Sequence, residues 1–143
     1  MAELNIDGQQ VTVADGSVLM HATDAAGIYV PHFCYHKKLS IAANCRMCLV
    51  DIEKMPKPMP ACATPVTNGM VVRTKSEKAL KAQQSVMEFL LINHPLDCPI
   101  CDQGGECQLR TWQWAMAKAH RATRKKSASS FPRTSVRLSA WPR

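Results

Sequence analysis

All seven cysteines and one of the five histidines fall into two four-donor sets, Cys34, Cys45, Cys48 and Cys62, then His94, Cys98, Cys101 and Cys107, with no thiol left over. The first set is spaced C-x10-C-x2-C-x13-C and the second H-x3-C-x2-C-x5-C. A thiolate is a soft anionic donor, and two cysteines two residues apart can turn onto one metal or cluster from a single tight loop. Cys45 with Cys48, and Cys98 with Cys101, have that spacing. The long intervals to Cys34 and Cys62 are too wide for a compact zinc knuckle and suit a chain wrapped around a [2Fe-2S] rhomb. The small residues Ala42, Ala43, Ala61 and Ala63 let backbone amides reach the sulfurs. In the second set, Gly104-Gly105 supplies the backbone freedom that returns Cys107 to the centre. Four donors within fourteen residues can hold a [4Fe-4S] cube or one zinc.

Other readings compete. Zinc in both sites makes a structural interaction module, since Cys3His is a common zinc set. Cys98-Pro99-Ile100-Cys101 has the spacing of a thioredoxin-type redox pair, but no βαβ pattern precedes it and two further donors lie close by. A histidine ending a helix is ordinarily a cap or solvated; His94 is read as a ligand because of its company. His21, His32, His36 and His120 have no such company and are read as structural or solvent-facing.

The odd cysteine count and the lack of a basic-then-apolar stretch at the start argue against a disulfide framework and export, and for a reducing compartment. No run of about 18 apolar residues is present, so a membrane link is expected through partners only. The net charge of +7 is unevenly divided. Residues 1–109 hold nine Lys and Arg against all eleven acids, and residues 110–143 hold nine Lys and Arg and no acid. The basic character belongs to the tail, which alone raises the question of nucleic acid or anionic lipid.

The elements that must position these donors begin with a hairpin around Asp7-Gly8, Leu4 and Ile6 before the turn and Val11 and Val13 after it. Ser17 is expected to cap a helix running to Gly27. Tyr29 to Val30 is extended, 33–48 is a long irregular loop, and Met47 to Ile52 reads as a strand. The three prolines of 55–60 make an excursion unable to supply a regular ladder. Asn68-Gly69 turns the chain into a strand at Met70 to Arg73. Thr74 and Glu77 then form a capping box for a helix over about 75–93, with an apolar stripe of Ala79, Ala82, Val86 and Leu90.

The segments Pro31-His32-Phe33-Cys34-Tyr35-His36, Asn44-Cys45-Arg46-Met47-Cys48, Met59-Pro60-Ala61-Cys62-Ala63-Thr64-Pro65 and His94 to Leu109 together closely resemble the large iron-sulfur subunit (the G subunit) of bacterial NADH:quinone oxidoreductase (complex I). The resemblance covers residues 1–109. It implies an α+β architecture: a β-grasp ferredoxin-like domain at 1–78, with a [2Fe-2S] cluster on Cys34, Cys45, Cys48 and Cys62, then a small helical domain at 79–109, with a [4Fe-4S] cluster on His94, Cys98, Cys101 and Cys107. It also implies electron relay from the flavin site of an NADH-binding partner subunit toward quinone, in a complex peripheral to the cytoplasmic side of the inner membrane. No nucleic-acid partner and no general acid or nucleophile are needed. The electron-input module of an NAD-linked hydrogenase or formate dehydrogenase carries a similar pair of modules and stays as an alternative.

After Leu109 the chain departs from that pattern. The further cluster cysteines and the long molybdopterin-enzyme-like region of the family are not in this sequence, and 110–143 is read as an irregular, non-native-looking basic tail. Inserting one base after the first C of the Arg110 codon, in a back-translation with chosen codons, yields a continuation that resembles the family and restores acidic residues. The expectation is a frameshift after Leu109 that truncates the subunit and leaves the fragment inactive alone.

Overall fold

The computed structural model describes residues 1–116. The chain divides into two compact units, Met1–Phe89 and a second from Leu90 onward. The division falls later than the expected 78/79 boundary, because most of the connecting helix packs with the first unit.

The first unit is built on a hairpin of β1 (Ala2–Ile6) and β2 (Gln9–Val13), paired from Ala2 opposite Val13 to Ile6 opposite Gln9. Asp7 and Gly8 both take positive φ, 50° and 93°, the pair of left-handed positions that a two-residue primed turn demands. β1 alternates Ala2, Leu4 and Ile6 into the core, whereas Val11 and Val13 of the edge strand β2 are only half-buried. The chain then enters α1 (Leu19–Ala25), which buries Leu19, Met20, Ala22 and Thr23. Gly27, at φ 68°, ends it with a complete Schellman arrangement. The Ile28 amide donates to the Thr23 carbonyl (2.9 Å) and the Gly27 amide to that of Asp24 (3.0 Å).

The helix start differs from the expected Ser17 cap. Val18 occupies the N-cap position with no side-chain bond, because the first amides find long-range acceptors. Leu19 N–H donates to the Thr64 carbonyl (2.8 Å) and Met20 N–H to that of Ala61 (3.0 Å). The orphan donors of a helix N-terminus are thus satisfied by the loop that carries Cys62.

β3 (Leu49–Ile52), β4 (Met59–Pro60) and β5 (Met70–Arg73) complete a mixed five-stranded sheet in the order β2-β1-β5-β3-β4. β5 runs parallel to β1 and antiparallel to β3. This is the β-grasp arrangement, with α1 against the sheet and Leu4, Ile6, Leu19, Met20, Val50 and Val72 at its centre. The proline-rich excursion does contribute a rung. Met59 and Pro60 pair with Val50 and Leu49 at the sheet edge, where a missing amide donor is tolerated.

α2 (Glu77–Leu91) follows. Its cap is Ser76, whose Oγ accepts from the Ala79 amide (3.1 Å), and not Thr74. Thr74 is diverted: its amide donates to Asp7 Oδ1 (2.8 Å) and its hydroxyl to the other oxygen of the same carboxylate. The buried stripe of α2 is Ala79, Gln83 and Met87, with Ala82, Val86 and Leu90 half-buried. Gln83 displaces the expected apolar stripe because its side-chain amide donates to the Leu49 carbonyl (2.9 Å), which removes the penalty for burying it.

In the second unit a single 3-10 turn at Cys98–Ile100 precedes α3 (Gln108–Met116). Residues 110–116, expected as irregular tail, therefore continue a helix; Thr111 N–H and Oγ both donate to the Cys107 carbonyl, at 3.1 and 3.2 Å. The remaining expected tail, His120 included, lies outside the described residues.

The Asp7 carboxylate clasps the hairpin turn to the segment entering α2 and holds a left-handed backbone position. Asp7→Ala removes two charge-assisted bonds and leaves the left-handed backbone at φ 50° without the side-chain bonds that offset it, and should cost about 2 kcal/mol in chemical denaturation. Asp7→Asn, which keeps an acceptor and tolerates that φ, should cost less than half as much.

Candidate metal centres

The first donor set is assembled by three different pieces of backbone. Cys34 and Cys45 lie on the irregular loop, Cys48 at the entry to β3, and Cys62 in the turn after β4. The Ala61 amide donates to the Cys48 carbonyl (2.9 Å), fixing the Cys62 turn to the strand that Cys48 begins. Ala63 and Thr64 amides both return to the Pro60 carbonyl at 3.1 Å, and the Thr64 hydroxyl adds a third bond at 2.8 Å. Cys48 and Cys62 are buried; Cys34 and Cys45 are half-buried.

Around Cys45 the backbone is strained. Ala43 and Arg46 take φ of 48° and 56°, a left-handed conformation that disfavours a Cβ and clusters at functional sites. The distortion turns amides inward: Cys45 N–H donates to Cys34 Sγ (3.4 Å). Burial pushes the Cys45 thiol up, but backbone hydrogen bonds at Met47, Cys34 and Phe33 and a side-chain bond to Cys34 outweigh it and lower its pKa. Cys62 goes the other way, pushed up to about 12 by burial, by its hydrogen bond to Cys48 and by the charges of Cys48, Cys34 and Cys45. The four sulfurs thus interact as one group. A metal drawing on Cys62 displaces a proton there.

The second set converges on one cavity of about 780 Å³, lined by His94, Cys98, Cys101 and Cys107 together with Asp97 and Arg110. His94 and Cys101 are exposed, and Cys98 and Cys107 half-buried. Gly104 closes the loop: its amide donates to the Cys101 carbonyl (2.8 Å), and a Cβ there would meet the Cys101 and Cys98 carbonyl oxygens at 3.0 and 3.2 Å. Gly105 follows at φ 99°, so the first glycine is demanded by space and the second by conformation.

All seven cysteines are free thiols. Among the described residues no three or more His, Cys, Asp or Glu close on a single metal ion. Each quartet nevertheless shares a neighbourhood, the first through mutual thiol interactions and the second through its common cavity, and the donor chemistry, seven thiols and one imidazole, fits iron-sulfur cores. Of the other histidines, His32 places Nδ1 2.8 Å from the Val30 carbonyl, a contact in which Nδ1 carries the proton, and its ring meets Tyr35 edge-on. His36 Nδ1 accepts from the Lys38 amide (3.2 Å). Tyr35 and Gln83 were not signalled by spacing; only an unusual polar residue within an otherwise apolar environment marks either.

A β-grasp unit with a quartet of interacting thiols, joined to a histidine-cysteine cavity, defines a two-centre iron-sulfur protein. Residues 1–77 match the 2Fe-2S iron-sulfur cluster binding domain family, and the chain belongs to it. Residues 83–113 match the NADH-ubiquinone oxidoreductase-G iron-sulfur binding region, and the two matches together support one [2Fe-2S] and one [4Fe-4S] cluster. The chain is 61% identical over 110 residues to the G subunit of the NADH-quinone oxidoreductase of Rickettsia felis, covering 77% of this chain and 16% of that protein. It is likewise 61% identical over 108 residues to the mitochondrial NADH-ubiquinone oxidoreductase 78 kDa subunit of Neurospora crassa, covering 76% of this chain and 14% of that protein. The chain thus spans about a sixth of the length of these relatives. Among solved structures it resembles a chain of an NAD+-reducing [NiFe]-hydrogenase, with a TM-score of 0.74 and 28% identity, over 81% of this chain and 49% of that one.

Gly104→Ala should disrupt the second centre alone. In anaerobically reconstituted protein, the four-iron signal should fall severalfold while the [2Fe-2S] signal on reduction persists, read by EPR with iron and sulfide analysis.

Proposed function

We propose that the chain is the two-cluster N-terminal part of the large iron-sulfur electron-transfer subunit of NADH:quinone oxidoreductase. Cys34, Cys45, Cys48 and Cys62 hold the [2Fe-2S] cluster, and His94, Cys98, Cys101 and Cys107 the [4Fe-4S] cluster. The observation that carries the reading is the coincidence of each complete quartet with one matched region: the first lies within 1–77 and the second within 83–113. When bound, the clusters accept and release single electrons. The chain's residues place and tune them, through backbone bonds around Cys45, burial of Cys48 and Cys62, and a neutral imidazole in place of a fourth thiolate.

Electrons would enter from the flavin of an NADH-binding partner subunit and leave toward quinone, in a complex peripheral to the cytoplasmic side of the inner membrane; no helix among the described residues is long and apolar enough to cross a membrane. The chain alone is a relay and not a complete enzyme. The likeness to a hydrogenase chain favours a second reading, an electron-input module of that class, but its 28% identity stands well below the 57–61% shared with the oxidoreductase subunits.

The test is composition and potential. Anaerobically reconstituted full chain should be brown, contain iron and acid-labile sulfide, and give reduced-state EPR signals of two centres; colourless zinc protein would overturn the assignment. Replacing His94 by Cys restores an anionic donor and should lower the midpoint of the second centre; an unchanged or higher midpoint would remove His94 from the ligand set.

A further inference from the structure

Between Cys45 and Cys48 the chain holds Arg46 at φ 56°, a left-handed conformation that glycine takes freely and that a residue with a Cβ adopts at a cost. Its neighbour Met47 is fully buried, whereas Arg46 is exposed, so the turn sends one side chain into the core and the other out beside the donors. Glycine would make the same turn without strain; what arginine adds is a fixed positive charge. That charge is unanswered. No acid lies between Asp24 and Asp51 in the sequence. Asp24 is paired with Lys37 at 3.0 Å and Asp51 with Lys78 at 3.1 Å, and among the described residues no carboxylate forms an ion pair with Arg46. Covalent connection keeps the cation near the thiols. Arg46 is bonded directly to Cys45 and stands two residues before Cys48. Its guanidinium therefore stays within about 10 Å of the Cys45 backbone, the screening length at 0.1 M salt.

We propose that the Arg46 guanidinium is a fixed counter-charge to the first centre and raises that centre's reduction potential. The inference rests on the reading that Cys34, Cys45, Cys48 and Cys62 hold a [2Fe-2S] cluster. Four thiolates leave such a centre anionic, and an added electron makes it more so. A cation alongside stabilises the reduced form more than the oxidised one, and the midpoint rises. The strained backbone at position 46 is the cost of carrying a charged side chain where glycine fits better. Arg46 is a tuning residue; it exchanges no electron.

The experiment compares the full chain, reconstituted anaerobically, with Arg46→Gly, which relaxes the turn and deletes the charge, and with Arg46→Lys, which keeps the charge. Iron and sulfide content comes first: wild-type chain without a [2Fe-2S] cluster refutes the ligand assignment and the inference with it. With the cluster present, Arg46→Gly should load it fully and titrate to a lower midpoint by EPR, while Arg46→Lys stays close to wild type. The gap between wild type and Arg46→Gly should narrow as salt is raised, because an exposed charge is screened. An unchanged midpoint in Arg46→Gly, an equal downshift in Arg46→Lys, or a gap indifferent to salt would overturn the proposal. Should Arg46→Gly fail to take up the cluster, Arg46→Asn, which is neutral and also tolerates the left-handed position, takes its place with the same expected downshift; no downshift would overturn the proposal.

Discussion

One hydrogen bond, from the Ala61 amide to the Cys48 carbonyl, fixes the relation on which the first centre depends. Cys48 lies at the entry to a core strand and Cys62 sits in a turn fourteen residues later, so nothing in sequence proximity brings the two deeply buried thiols together. That bond extends the β3–β4 ladder by one rung past Leu49 and Pro60, and the Cys62 turn is then held from the other side by α1, whose first two amides donate to Ala61 and Thr64. The helix thereby gains its N-terminal acceptors and the turn its position. Loss of either would leave unpaired backbone groups in a buried region, a penalty of about 1–3 kcal/mol each.

This coupling makes the thiol cluster a property of the whole β-grasp core. Four sulfurs close together repel once ionised and are poorly solvated, which is why the Cys62 thiol is pushed up to about 12 while Cys45, with amides turned toward it, shifts downward. The left-handed residues Ala43 and Arg46 each cost about 1–2 kcal/mol, and the rigid sheet beneath holds them there. An environment that disfavours a bare set of thiolates but offers inward amides suits a positively charged iron core, because the same amides that lower a thiol's pKa stabilise charge on a ligating sulfur.

How much of this was legible in the sequence follows from the range of the interactions involved. The hairpin, the strand Met70 to Arg73 and the helix stop at Gly27 were legible because each is encoded by adjacent residues: Asp7-Gly8, a β-branched pair after Asn68-Gly69, a glycine at a left-handed position. That the eight candidate donors gather in two separate neighbourhoods was legible because spacing itself is the signal. The helix starts were misread for the opposite reason. Ser17 and Thr74 have the chemistry of caps, but long-range partners, Ala61 and Thr64 for α1 and Asp7 for Thr74, occupy the groups that a local rule assigns. Gln83 escaped for the same reason, since its acceptor at Leu49 lies 34 residues away. The extent of α3 past Leu109 was hidden by composition: a basic, acid-free run reads as tail, although Thr111 already returns two bonds to Cys107.

The two units differ in what can hold them folded. The first has a continuous core of fully buried aliphatic side chains. Among the described residues of the second no hydrophobic side chain is fully buried, and Leu96 and Ile100 stand 87% and 83% exposed beside the donors they accompany. Burial of a single leucine contributes about 1.5–3 kcal/mol, so the described part of this unit, which fully buries none, has little to set against the entropy of ordering its loops. The arrangement offers a further source of order: His94, Cys98, Cys101 and Cys107, from the end of α2, the 3-10 turn and the start of α3, line one cavity. A core bound by all four would stand in for a hydrophobic centre, making cluster binding and folding one event there, whereas the β-grasp unit has an apolar core of its own to fold around.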